Sequence, residues 1–83
     1  MQFNNRAVGE TVKALRKKRG LSQEVLSGLA GIARTHLTMI ERGTKQPNFE
    51  TLWRIALALD MRPSELVAAI EAQIKHAEEG TQI

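Results

Sequence analysis

Cysteine and tyrosine are absent from the 83 residues, and proline occurs only twice. The lack of cysteine excludes a disulfide framework and a thiolate metal site. Aromatic rings are confined to Phe3, Phe49 and Trp53, so the core has to be aliphatic. No apolar run is long enough for a signal peptide or a membrane-spanning helix, which makes a reducing cytoplasm the simplest location. Strand-like alternation, internal repeats and low-complexity segments are also missing. So are paired carboxylates, a nucleophile–base set, a phosphate loop and a metal cluster at useful spacing, so neither an enzyme nor a cofactor is expected. His36 and His76 are too isolated in the sequence for a zinc site.

What is present is charge, unevenly spread. Residues 1–45 hold nine Lys/Arg against three acids, and residues 46–83 hold three against six. A basic first half suggests an anion-binding face, and an acidic second half suggests a different task for the C-terminal part. Solvation of helix faces would account for the same charges.

Five helices are predicted, an all-α single domain. Val8, Val12 and Leu15 form one stripe from about Asn5 to Arg19, with Asn4 or Asn5 as N-cap and Gly20 as stop. The run Arg16-Lys17-Lys18-Arg19 suits the negative end of the helix dipole, and contact with phosphate is compatible with that role. Ser22 caps a second helix carrying Val25, Leu26 and Leu29 on one side. A third begins near Ala33 or Arg34 and ends at Gly43. Pro47 forbids its continuation, Asn48 caps a fourth helix to about Leu59, and Pro63 opens a fifth to about Ala77. Residues 1–4 and 78–83 are expected to be loose termini.

The stretch Ser22 to Gly43 organises the rest. Its two short helices are joined through Ala30-Gly31-Ile32, where Gly31 supports a left-handed turn and Ile32 an apolar plug. Ser27 is small enough to allow a close crossing. Leu37 and Ile40 point inward, leaving Arg34, Thr35, His36, Thr38 and Met39 around the outward faces. This is the spacing of a helix-turn-helix.

The fourth and fifth helices are apolar over a wide arc. Leu52, Ile55, Ala56 and Leu59 form one face continuous with Phe49, and Trp53 and Leu57 widen it. Leu66, Val67, Ile70 and Ile74 form the stripe of the fifth. One small core is not expected to bury both sets, so a homodimer interface is expected at Trp53, Leu57, Val67, Ile70 and Ile74. In a monomer, Trp53 would instead pack over its own fifth helix.

The chain resembles the Cro/C1-type (XRE-like) helix-turn-helix family of phage and bacterial repressors. The resemblance is carried by Leu15-Arg16, Gly20-Leu21-Ser22-Gln23-Glu24, Ala30-Gly31-Ile32, Ile40-Glu41-Arg42-Gly43, Pro47 and Leu52. Within that family, the run Arg34-Thr35-x-Leu37-Thr38-x-Ile40-Glu41-Arg42-Gly43 and the fifth helix look most like restriction–modification controller proteins. The resemblance implies a compact lambda-repressor-like fold whose third helix enters the major groove of double-stranded DNA.

Carried over by position, it implies base contacts from Arg34, Thr35, Thr38 and Met39. Arg34 suits guanine O6 and N7, the threonines a thymine methyl or a phosphate, and Met39 an apolar contact. Gln23, His36, Arg42 and Lys45 are implied to face the DNA backbone. Arg16 and Glu41 match a pair that forms an internal salt bridge in family members, which would tie the first helix to the third. Ala33 departs from the pattern, because relatives often place Ser, Thr or Asp there to cap the recognition helix.

The expected function is a sequence-specific transcriptional regulator that binds a palindromic operator as a homodimer, with neither a membrane nor a small-molecule ligand implied. A protein-interaction module of the antitoxin kind, neutralising a toxin and binding DNA secondarily, is the alternative. The short tail from Glu71 to Ile83 shows no extended neutralising segment.

Overall fold

Four of the five helices among the described residues start where a side chain satisfies an orphan amide of the first turn. The computed structural model describes residues 1–80 and places among them α1 (Asn5–Lys18), α2 (Gln23–Ala30), α3 (Arg34–Arg42), α4 (Phe49–Ala58) and α5 (Pro63–Gly80). Asn4 accepts hydrogen bonds from the amides of Arg6 and Ala7, Ser22 from that of Val25, and Asn48 from that of Thr51. At the start of α5, the Glu65 carboxylate accepts from the Arg62 amide at 2.8 Å, one half of a capping box.

Each of the first four helices ends in the same way. A residue at positive φ turns the chain (Gly20, Gly31, Gly43 and Asp60), and the amide after it reaches back to a carbonyl of the last turn. Gly31, at φ 71°, sits where α2 must swing sharply into α3, a conformation that an L side chain resists.

Leu26, Leu37, Ile40, Ile55, Leu59, Leu66 and Val12 are fully enclosed and form an aliphatic core. Around it α1 packs on α3 and α5, α2 on α3 and α4, and α4 on α5. No strand occurs among the described residues. Ser27 and Ala30 are buried and Ile32 is packed against the core, so α2 and α3 cross over small side chains.

Four expectations are revised. In α2 only Leu26 of the expected apolar side is inside, whereas Val25 and Leu29 are 48% and 63% exposed. The buried stripe is Leu26, Ser27 and Ala30, because a helix held between two neighbours needs small residues at the crossings. Phe49 does not continue the inward face of α4, being largely exposed. Ile70 and Ile74, expected at a dimer interface, are each 6% exposed and belong to the core of the single chain, because α5 lies across both α1 and α4. Finally, α5 does not end near Ala77 but continues to Gly80. Links along it help to hold that course: Gln73 donates to Glu10 at 3.0 Å, and the Gln2 amide donates to Glu78 at 3.4 Å. The remainder of the expected loose end, residues 81–83, lies outside the described residues.

Gly9 marks a close approach between α1 and α3. A Cβ there would overlap the Ile40 carbonyl oxygen and stand 2.6 Å from that of Glu41. Backbone cannot yield as a flexible side chain does, so overpacking here has no easy relief. Gly9→Ala is therefore expected to destabilise the fold by roughly 2–3 kcal/mol, read as a fall of more than about 8 °C in thermal unfolding. An unchanged midpoint would mean that α1 and α3 do not approach this closely.

Candidate nucleic-acid interface

The apolar and small residues just described leave one chain of polar groups running through the helix-turn-helix. Arg16, near the end of α1, is 8% exposed, and Glu41, near the end of α3, is 7% exposed. Their side chains form a bidentate pair, with Arg16 Nε donating to Glu41 Oε2 at 2.7 Å and Nη2 to Oε1 at 3.0 Å. Arg16 Nη1 also donates to the Leu21 carbonyl at 2.9 Å, which binds the α1–α2 turn into the same cluster. The hydrogen bonds to Glu41 raise the pKa of Arg16 above its ordinary value, against the lowering effect of burial, and the charge of Glu41 raises it further. The stability that the Arg16 charge contributes is thus undiminished up to the ordinary arginine pKa and is lost only as pH climbs through the raised value.

Gln23, the first residue of α2, extends the chain. Its Nε2 donates to Glu41 Oε1 at 3.0 Å, and its Oε1 accepts from Thr38 Oγ1 at 2.9 Å. Thr38 Oγ1 also lies 3.0 Å from the carbonyl of Arg34, one turn earlier in α3. The start of α2, the end of α1 and the length of α3 are therefore locked together by side chains. The Arg16–Glu41 link was implied by resemblance. The onward link through Gln23 to Thr38 was missed, since helical spacing within one element says nothing of contacts between elements.

Apart from Thr38, the outer face of α3 makes no such ties to other elements among the described residues. Arg34, Thr35, Met39 and Arg42 are exposed, and His36 and Thr38 are half-buried. Lys45, beyond the end of the helix, is exposed as well. Arg34, Thr35, Thr38 and Met39 thus share one accessible side of a short helix, while Leu37, Ile40 and Glu41 hold the opposite side in the core. Ala33 makes no side-chain cap, unlike Asn4, Ser22 and Asn48. A rigid helix with one free polar face is the shape that fits the major groove.

The residues expected at a dimer interface separate into two places. Trp53 and Val67, 47% and 37% exposed, line one shallow groove with Phe49, whose ring meets Trp53 edge-on with centroids 6.0 Å apart. Ile70 and Ile74 lie beneath the adjoining groove. Leu57, 59% exposed, is instead beside Leu29, Gly31 and Arg54.

Comparison with known proteins places this geometry. The helix-turn-helix family model matches residues 12–66. An uncharacterised HTH-type transcriptional regulator, y4dL of Sinorhizobium fredii, is 32% identical over 74 residues, 84% of this chain and 38% of its own length. The immunity repressor protein of Bacillus phage phi105 is 40% identical over 60 residues, 72% of this chain and 42% of its own. The chain therefore spans about two fifths of the length of each of these relatives. Among solved structures, the restriction–modification controller protein C.AhdI of Aeromonas hydrophila superposes with a TM-score of 0.72 at 35% identity, covering 75% of this chain and 94% of that one.

The buried pair generates a test. Removal of one partner strands a charge, whereas removal of both leaves an apolar contact. Arg16→Met or Glu41→Leu alone should lower the unfolding free energy by about 3 kcal/mol or more, and the double variant should recover much of that loss. Urea titration of the four proteins measures the cycle. Additive losses would show that the two side chains do not interact in solution.

Proposed function

Since this chain belongs to the helix-turn-helix family of transcriptional regulators, we propose that it binds a palindromic operator in double-stranded DNA as a homodimer, with α3 in the major groove. The observation that carries the reading is the free outer face of α3, held rigid from behind by the Arg16–Glu41 pair and Gln23. Arg34 at the start of the helix is the residue for guanine, whose O6 and N7 accept the two parallel donors of a guanidinium. Thr35, Thr38 and Met39 complete the base-reading set. Gln23, His36, Arg42 and Lys45 hold the sugar–phosphate backbone and so fix register without reading sequence.

Dimerisation would use the apolar groove of Trp53 and Val67, which Phe49 also lines, while Leu57 stands apart beside Leu29. Exposed rings and aliphatic chains in one patch favour a self-complementary contact across a two-fold axis. Two recognition helices would then meet half-sites about one helical turn apart. Binding to so many phosphates should weaken steeply as salt rises, because each contact releases counterions. The controller protein C.AhdI, 94% of which is covered by the match, supports a role as a regulator of the restriction–modification controller kind.

Two experiments test these statements. Selection of bound duplexes from a random pool should give the wild type an inverted repeat containing guanine. Arg34→Ala should relax the preference at that guanine, with a loss of roughly 1–3 kcal/mol on the wild-type site. Recovery of no motif by the wild type would overturn the reading. In sedimentation, the wild type should be dimeric and Trp53→Glu monomeric with its helical content retained, since the site is on the surface. A Trp53→Glu dimer would place the interface elsewhere.

A further inference from the structure

The direction of each hydrogen bond in the polar chain is fixed by chemistry. Glu41 is engaged by the Arg16 guanidinium and, as a carboxylate, only accepts. The Gln23 amide must therefore turn its nitrogen to Glu41, at 3.0 Å, and its oxygen to Thr38. Facing an amide oxygen at 2.9 Å and the Arg34 carbonyl at 3.0 Å, the Thr38 hydroxyl has two acceptors within the protein. It has a single proton, and that proton is directed inward whichever acceptor takes it. What Thr38 offers outward is lone pairs and a methyl group. Gln23 keeps its second Nε2 proton, so outward it is a donor.

We propose that the chain Arg16–Glu41–Gln23 makes Thr38 an acceptor-only reader, whose hydroxyl oxygen takes a hydrogen bond from an exocyclic amino group, adenine N6 or cytosine N4, in the major groove. Phosphate oxygens, guanine O6 and N7 and thymine O4 all require a donor, which Thr38 no longer has. The same polarity gives Gln23 the phosphate, through its free amide proton. One buried carboxylate thus assigns a base-reading task to one neighbour and a backbone task to the other. Without the link, threonine would be indifferent between donors and acceptors.

This inference rests on the proposed placement of α3 in the major groove, and the test keeps the two apart. Duplexes are selected from a random pool with wild type, Thr38→Val and Thr38→Ser. Valine keeps the shape and loses the oxygen, and serine keeps the oxygen. Both substitutions fall at one half-exposed site, where folding is tolerant. At one position of the wild-type motif, adenine or cytosine should be preferred on the strand facing Thr38. Thr38→Val should lose that preference by about tenfold, within the usual cost of a mismatched base pair, and Thr38→Ser should keep it. Replacing an adenine there by purine, which lacks the amino group, should weaken the wild type and leave Thr38→Val unaffected. If a motif emerges but the Thr38-dependent base is guanine or thymine, or Thr38→Val changes affinity uniformly with no change of base preference, the acceptor-only assignment fails while the regulator reading stands. A wild type that selects no motif would defeat both.

Discussion

The bidentate ion pair between Arg16 and Glu41 is the interaction on which the rest of the structure depends. It joins the last turn of α1 to the last turn of α3, and Arg16 reaches the Leu21 carbonyl in the turn that starts α2. Two charges so far from water are costly to bury, and an apolar contact of equal volume would serve stability as well or better. The pair supplies orientation instead. A carboxylate held by a guanidinium has fixed lone pairs, and those fix Gln23 and, through it, Thr38.

Backbone geometry cooperates with this arrangement. Gly9 lets α1 come against the carbonyls of Ile40 and Glu41, which brings Arg16, two turns further along α1, within reach of the Glu41 side chain. Gly31 then sets the corner between α2 and α3. With the inner face of α3 closed by Leu37 and Ile40, its outer face is left to meet a partner. One short helix therefore has an inner side that belongs to the core and an outer side on which the proposed function rests.

Much of this was legible in the residue order. Asn4 or Asn5, Ser22 and Asn48 as caps, glycine as stops and Pro63 as an opener set the helix boundaries within a residue or two, except at the end of α5, because these signals act locally. The inward set Leu37 and Ile40 followed from helical period. Failures came where large apolar residues were given more weight than small ones. Val25 and Leu29 lost to Ser27 and Ala30, since closeness between helices, and not hydrophobicity, decides a crossing. Ile70 and Ile74 were set on a surface because the reach of α5 across α1 is a tertiary fact that periodicity does not carry. Gly9 carried a readable signal that went unused: a glycine inside a helix costs about 1 kcal/mol relative to alanine, and a packing reason should be sought.

On the proposed reading, DNA is met by the outer face of α3, backed by Gln23. Titration of the isotopically labelled protein with a selected duplex, followed by amide chemical shifts in nuclear magnetic resonance, tests it most directly. The largest changes should fall on the backbone amides from Arg34 to Met39 and on the side-chain amide of Gln23, with α5 little altered apart from any dimer contact. Changes concentrated on Phe49, Trp53 and Val67, with α3 undisturbed, would overturn that reading and give the DNA a different face of the molecule.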